Sequence, residues 1–177
     1  MPDFWKSIIW QQTGAAIDML ENAVRACPDE LWSESSQPPA DYLAAAGEFW
    51  YITYHTLFWL DCYSSDSLDN FSPPAPFTRS ELDPAGILPE RVYTKSELLT
   101  YLEYARHRYG AALTSLTADN ARERCPFEWL DINRAEMLLY TMRHVQHHAA
   151  QLNLLLRKET GSAPRWVRRT KIALSSD

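Results

Sequence analysis

The sequence predicts an all-α protein: a four-helix bundle with a long crossover between its second and third helices. Glycine is scarce, at five of 177 residues, and long segments repeat apolar side chains every three or four positions. That spacing puts the apolar residues on one face of a helix. The irregular residues 65–93 are long enough to travel the length of a bundle. We expect one domain over residues 1–177, because a chain of this length buries a single core.

The first two helices are expected over residues 3–26 and 42–64. Asp3 is suited to the N-cap of the first helix, and Pro28 prevents that helix from continuing. The connection that follows has room for one helical turn around Trp32. The second helix is dense in aromatic side chains, and its length and the alanines at its start favour helix over strand.

The third and fourth helices are expected over residues 95–117 and 132–160, followed by an irregular tail over 161–177. Gly161 is a natural C-terminal cap for the fourth helix, because glycine adopts the left-handed conformation that ends many helices. The side chains suited to cap the two N-termini are Thr94 or Ser96 and Asp131 or Asn133.

The crossover comprises residues 65–93. It contains five prolines and one glycine, which suit neither a helix nor a strand interior. Phe71 and Phe77 give it apolar side chains that can hold it on the surface of the bundle. We expect it to join the far ends of the bundle, and from that position it can wall a site.

Charge and cysteine content restrict the function classes. The net charge is −6, so we expect no nonspecific binding of nucleic acid. Three widely spaced cysteines form neither a disulfide framework nor a C-x-x-C motif, which favours the reducing cytoplasm.

The sequence shows no signal-peptide core and no apolar run of about 18 residues, so we expect no membrane partner. A basic cluster near the C-terminus is interpreted as a solvated end: Arg165, Arg168, Arg169 and Lys171.

Three of the five histidines lie within residues 144–148. His144 and His148 are four residues apart, so their rings lie one helical turn apart at the edge of the apolar stripe. His147 points about 100° away from His148, toward the polar side. The fourth helix therefore offers an inward H-x-x-x-H pair and leaves one histidine outside. His55, near the middle of the second helix, is a third candidate.

Three histidines on two facing helices indicate a divalent-metal site. Imidazole nitrogens bind Zn, Ni, Cu or Fe at neutral pH, and three of them leave coordination positions for water or substrate. The spacing leaves alternatives open, since His144 can be a hydrogen-bonded core residue and His55 a member of the aromatic cluster around it. The site also requires the second and fourth helices to be neighbours, which spacing does not show. A zincin H-E-x-x-H motif is excluded, because Val145 follows His144.

Three further side chains are weak catalytic candidates. Glu48 lies seven residues before His55, about 10 Å along the helix axis, and can act as a base from the cavity wall. Gln151 lies three residues beyond the H-x-x-x-H pair and can orient a ligand or a water. Tyr140 lies one turn before that pair. For each of the three, a purely structural role is the simpler interpretation.

This arrangement of residues resembles the DinB/YfiT-like superfamily. The resemblance rests mainly on residues 144–152, HVQHHAAQL, with support from the lone histidine of the second helix, the crossover and the start of the third helix at residues 93–102. It implies a four-helix bundle in up-down-down-up order, often a homodimer. It also implies a metal, commonly Ni or Zn with Fe and Mn as further candidates, that is held by His55, His144 and His148.

The activities that the resemblance implies divide into several kinds. Some members look like metal-dependent transferases that use a low-molecular-weight thiol such as bacillithiol or mycothiol against a small electrophile, and one branch comprises thiol-dependent isomerases. A metal-dependent hydrolase uses the same kind of site. The noncatalytic alternatives are a metal-binding or stress-associated bundle and a bundle with vestigial histidines. We expect a metal-dependent enzyme that acts on a small molecule, with thiol-dependent S-transfer as the leading hypothesis.

Overall fold

In residues 3–33, 37–39 and 41–174, which the computed structural model describes, four long helices and two short ones make up the fold. These ranges contain no β-strand, only one isolated bridge between Arg124 and Asn133. In chain order the helices are α1 (Asp3–Ala26), α2 (Asp29–Trp32), α3 (Tyr42–Ala45), α4 (Phe49–Tyr63), α5 (Lys95–Ser115) and α6 (Arg134–Thr160).

Each long helix packs against two others: α1 and α4 both lie against α5 and α6. The hydroxyl of Tyr109 bonds Thr13 and the carbonyl of Leu138 at one level of the bundle. Gln146 contacts Met19 at a level further along both helices, so α1 and α6 run parallel.

The other two long helices run in the opposite direction. In α4, His55 meets His144 while the later Tyr63 meets the earlier Tyr140, so α4 is antiparallel to α6. In α5, Arg106 bonds acidic residues of α1 that lie beyond the level of Tyr109, so α5 is antiparallel to α1. The order is up-down-down-up, and the predicted all-α four-helix bundle is confirmed.

The helix expected over residues 42–64 is divided, which corrects the sequence-based prediction. α3 ends at Ala45, and α4 begins at Phe49 after a break that contains Gly47. Glu48 has extended backbone angles at the N-cap of α4. Its carboxylate accepts hydrogen bonds from the Trp50 indole and the Ser33 hydroxyl, and these contacts favour the break over a continuous helix.

Capping side chains set the starts of α5 and α6. The Thr94 hydroxyl accepts from the backbone N–H of Glu97, whose carboxylate in turn accepts from the backbone N–H of Thr94. Asn133 and Glu136 form the same reciprocal arrangement at α6. Each arrangement satisfies two backbone donors that a helix start otherwise leaves unpaired. The predicted bounds of α1, α5 and α6 lie within two residues of the observed ones.

Aromatic packing holds the crossover against α4 and α5. Almost every residue of α4 is buried. The Phe77 ring from the crossover stacks on Tyr101 of α5 at a centroid distance of 4.3 Å and on Tyr54 of α4 at 6.1 Å. Phe71 is also buried, against Phe58. The crossover is therefore part of the core, and these aromatic contacts hold it beside α4.

The C-terminal segment folds back over α1. The Trp10 indole donates to the carbonyl of Ile172 at 2.8 Å, and the backbone N–H of Thr170 donates to the carbonyl of Gln11 at 3.2 Å. A Cβ on Gly14 would lie 2.5 Å from the Thr170 side chain, so glycine permits this approach. The basic side chains of this segment are exposed, although its backbone is anchored.

A buried carboxylate lies between α4 and α5. Asp61 is 1% exposed; Tyr101 donates to it at 3.1 Å, and the Arg108 guanidinium lies at 3.4 Å. Burial raises the pKa of Asp61 to about 6, although both neighbours favour the charged form and oppose the rise.

The raised pKa of Asp61 predicts that its contribution to stability falls as pH rises. The folded state holds the proton more tightly than the unfolded state, so the free energy of unfolding decreases between about pH 4 and pH 6. Asp61→Asn keeps a side chain of the same shape without the titration. We expect its stability relative to the wild type to increase by about 2–3 kcal/mol across this window. Urea unfolding of both proteins at several pH values measures the difference.

Asp66→Asn is the matched control, because Asp66 is an exposed aspartate in the same region. The Asp61→Asn difference should change with pH by more than the Asp66→Asn difference. Equal changes in the two variants would contradict the assignment.

Candidate metal centre

Helices α4 and α6 bring three histidines together. The Nε2 atoms of His144 and His55 lie 3.3 Å apart, and those of His148 and His144 lie 3.1 Å apart. One ring nitrogen from each of the three lies within 4.8 Å of the other two. His55, His144 and His148, called the histidine trio below, are each partly buried. The neighbouring position of α4 and α6 is the condition that the sequence left open.

The spacing of the nitrogens fits a shared cation. At Zn–N bonds of about 2.0–2.1 Å, two nitrogens of a tetrahedral site lie about 3.3–3.4 Å apart. The observed separations of 3.3 and 3.1 Å are close to that value. The donor set therefore has the right chemistry and a suitable spacing for a divalent metal.

Hydrogen bonds at Nδ1 of His55 and His148 leave the Nε2 atom of each ring unprotonated and facing the other histidines. The Nδ1 of His55 donates to the Glu81 carboxylate at 2.7 Å, and the Nδ1 of His148 donates to the Gln151 carbonyl oxygen at 2.6 Å. A neutral imidazole protonated at Nδ1 has a lone pair at Nε2. In His144, Nδ1 is buried with no hydrogen-bond partner among the described residues. The Nε2 of His144 can therefore carry the ring proton and donate it to a neighbouring Nε2, and a cation between the three Nε2 atoms would take the place of that proton.

Electrostatics keeps two of the rings neutral. Burial, together with the neighbouring His148 and His55 rings, lowers the pKa of His144 to about 3. Burial and the neighbouring His55 ring likewise lower the pKa of His148 to about 4, although the bond to Gln151 opposes the change. Neutral imidazole is the form that binds a metal, so both rings are ready for coordination near pH 7.

Glu81 from the crossover supports the trio from behind His55. Its carboxylate accepts hydrogen bonds from His55, from the Trp59 indole at 3.1 Å and from the Tyr51 hydroxyl. The Glu81 side chain is 5% exposed. Burial raises the pKa of Glu81, but these three donors outweigh that effect and the net pKa lies below the ordinary value. The anion therefore persists, orients His55 and makes its Nε2 a stronger ligand.

Sequence reasoning did not identify Glu81. It lies in a short 3-10 turn, Ser80–Leu82, within a segment that has no helical or strand period. The only signal was the expectation that the crossover can wall a site. No spacing relates residue 81 to His55, because the contact depends on how the crossover packs.

The three weak catalytic candidates lie in different places. Gln151 contacts His148 directly. Tyr140 packs against Tyr63 at a centroid distance of 5.5 Å and lies one turn from the trio on α6. Glu48 lies at the start of α4, where its carboxylate bonds Trp50 and Ser33 and does not reach the trio. The structure therefore brings Gln151 to the candidate centre and leaves Glu48 outside it.

Two other side chains lie outside the trio. His147 is exposed, and its ring lies beside that of His148 at a centroid distance of 4.9 Å. Cys62 is fully buried, and burial raises the pKa of its thiol to about 12. It is therefore a protonated thiol in the core and offers no thiolate to a metal.

The fold and the trio together define a helical-bundle protein with a candidate three-histidine metal centre. The chain belongs to the DinB superfamily, whose family model matches residues 12–152. This range contains all three histidines and Glu81, and DinB proteins are known to bind metal. No curated protein and no solved structure matches the chain. Within the described ranges, every helix is too short or too polar to cross a membrane.

The contacts of Glu81 predict a specific loss of metal affinity. Glu81→Gln removes the charge behind His55 and turns an amide NH₂ toward groups that are themselves donors. We expect the dissociation constant for Zn or Ni to rise about 10- to 100-fold. Competition against a chromophoric chelator measures it.

Glu48→Gln is the matched control, because it makes the same chemical change at a carboxylate that lies at the start of α4 and bonds Trp50 and Ser33. It should leave metal affinity within about twofold of the wild type, since the contacts of the trio are unchanged. Equal losses in the two variants would contradict the supporting role of Glu81.

Proposed function

We propose that the protein is a divalent-metal-dependent enzyme whose metal is held by His55, His144 and His148. One observation carries the proposal: the Nε2 atoms of the trio converge at 3.1 and 3.3 Å. Glu81 and Gln151 hold the opposite nitrogens of two of the rings. Structural zinc sites use four protein ligands, whereas three protein ligands are typical of catalytic sites.

Nickel or zinc fits the proposed site best. Three neutral imidazoles form a nitrogen-only donor set, which suits Zn and Ni better than oxygen-preferring ions such as Mg²⁺. Iron and manganese are further candidates.

The reaction that we propose is thiol-dependent S-transfer to a small electrophile. When bound, the metal supplies Lewis acidity that lowers the pKa of a coordinated thiol. The thiol sulfur would form a bond to the electrophilic carbon, the leaving group would depart with its electron pair, and the thiol proton would pass to solvent. The thiol has to come from a cosubstrate, because Cys27, Cys62 and Cys125 are all buried.

The residues around the trio have defined roles in this proposal. Glu81 and Gln151 retain the protons on Nδ1 of His55 and His148, which keeps Nε2 available. Trp59 shields one side of the centre, with its ring 6.3 Å from that of His55. A small-molecule substrate is part of the proposal, as is a homodimer, which sedimentation analysis of the purified protein tests.

Metal content tests the ligand assignment. Untagged protein incubated with Ni or Zn and then desalted should retain about one equivalent, and His144→Ala or His148→Ala should reduce this to about a tenth or less, because two imidazoles hold a divalent ion weakly. Elemental analysis measures the content, and thermal unfolding of the metal-free proteins checks that the variants fold.

The chain contains its own control for this experiment. His147→Ala removes an exposed neighbour of His148 and should leave the metal content unchanged. Less than a tenth of an equivalent in the wild type, or full content in His144→Ala, would refute the proposed centre.

Activity is tested with a panel of low-molecular-weight thiols and a bromobimane electrophile. Metal-loaded wild-type protein should accelerate formation of the fluorescent thioether above the uncatalysed rate, and His148→Ala should return it to that rate, because the metal is lost. His147→Ala should retain the wild-type rate. Acceleration that persists in His148→Ala would contradict metal dependence, and hydrolysis of ester substrates without thioether formation would replace S-transfer by a hydrolase activity.

A further inference from the structure

A cavity of about 700 Å³ lies between α1, α6 and the C-terminal segment. We call it the tail cavity. Its floor is formed by the small side chains of Ala15, Ala16 and Ala150, and Trp166 and Val167 of the C-terminal segment form its outer wall. It opens on the side of α6 that carries Arg143 and His147, and it shares only His144 with the histidine trio.

The segment that forms the wall of the tail cavity is anchored to α1 at Gln12 and Gly14. The side-chain amide of Gln12 donates to the carbonyl of Arg168 at 3.3 Å, directly after Trp166 and Val167. Two residues later, Thr170 is 5% exposed and contacts the bare Cα of Gly14. The tail cavity therefore lies between α1, α6 and a C-terminal segment that is fixed in place.

The charge around the tail cavity is positive, although the protein as a whole is acidic, with a net charge of −6. None of the described residues that line it is acidic, and Arg143 lines it with no ion-pair partner among the described residues. Trp166 and Val167 are also flanked by three exposed arginines: Arg165, Arg168 and Arg169.

Trp166 offers an aromatic face to a ligand. It is 67% exposed, an unusual position for the largest apolar side chain in a segment whose backbone is anchored. Small-molecule sites combine apolar walls with a few polar groups that fix orientation, and their volumes are about 300–1,000 Å³. The tail cavity has this combination and this size.

We propose that the tail cavity binds a small aromatic anion, a carboxylate or a sulfonate, with its ring against Trp166 and the alanine floor and its charge on Arg143. An arginine guanidinium donates two parallel hydrogen bonds to the oxygens of either anion. The proposal is independent of the function proposed for the metal centre.

Calorimetric titration with naphthalene-2-sulfonate tests the proposal, with the neutral naphthalene-2-sulfonamide as the comparison ligand. The protein is used both metal-loaded and after treatment with a chelator. We expect the sulfonate to bind about tenfold or more tightly than the sulfonamide, because a charge-assisted hydrogen bond is about twice as strong as a neutral one. Binding should persist in the chelator-treated protein.

Two variants with matched controls locate the ligand. Arg143→Gln should weaken binding of the sulfonate about tenfold without affecting the sulfonamide, whereas Arg157→Gln, further along the exposed side of α6, should have no effect. Ala150→Phe should fill the cavity and abolish binding of both ligands. Ala111→Phe, which makes the same change at an exposed position of α5, should leave binding intact.

Gly14→Ala tests the anchored wall. Alanine favours the helix over glycine by about 1 kcal/mol, so α1 is retained. The added Cβ nevertheless displaces Thr170, and with it the segment that carries Trp166. We expect at least a tenfold loss of affinity with no fall in the thermal unfolding midpoint of the bundle.

Several results would overturn the proposal. These are equal affinity for the charged and neutral ligands, unchanged affinity in Ala150→Phe, and loss of binding after chelation, which would move the ligand to the metal centre. Absence of sulfonate binding together with a sedimentation coefficient that changes in Ala150→Phe would assign this face to contact between copies of the chain.

Discussion

The Glu81 carboxylate is the contact on which the candidate centre depends. It is a buried anion, and burial of a charge is unfavourable unless hydrogen bonds compensate it. Tyr51, His55 and Trp59 supply those bonds from three positions on one side of α4. The same contact therefore holds the crossover on α4, keeps the carboxylate ionised and orients the imidazole that completes the trio.

α4 is an apolar helix, yet it places the polar side chain of His55 at the candidate centre. Almost all of α4 is buried, and His55 and Trp59 are its partly exposed residues. Both of them bond Glu81. The crossover thus satisfies the polar atoms of α4 where α4 faces α6, and this allows two helices with histidines to approach closely.

Helical periodicity in the sequence predicts much of the fold and part of the candidate centre. The bundle, the inward H-x-x-x-H pair and the outward His147 follow from the 3.6-residue repeat, and the structure brings His144 and His148 together as that repeat requires. Residue spacing made His55 a candidate, but joining it to the pair on α6 needed the family resemblance, because spacing along one chain does not say which helices are neighbours. The break before α4 and the position of Glu81 depend on side-chain contacts between distant segments, so no local pattern predicts them.

Both candidate sites combine a helix with an irregular segment. His144 and His148 of α6 belong to the histidine trio beside α4. Arg143 and His147, each one residue earlier in the sequence, line the tail cavity beside the C-terminal segment. Because successive residues of a helix are about 100° apart, a rotation of α6 that improved one set would misplace the other. The register of α6 is therefore constrained from two sides. The irregular segments complete each site with the groups that helices alone do not place: the Glu81 carboxylate in one and the Trp166 ring in the other.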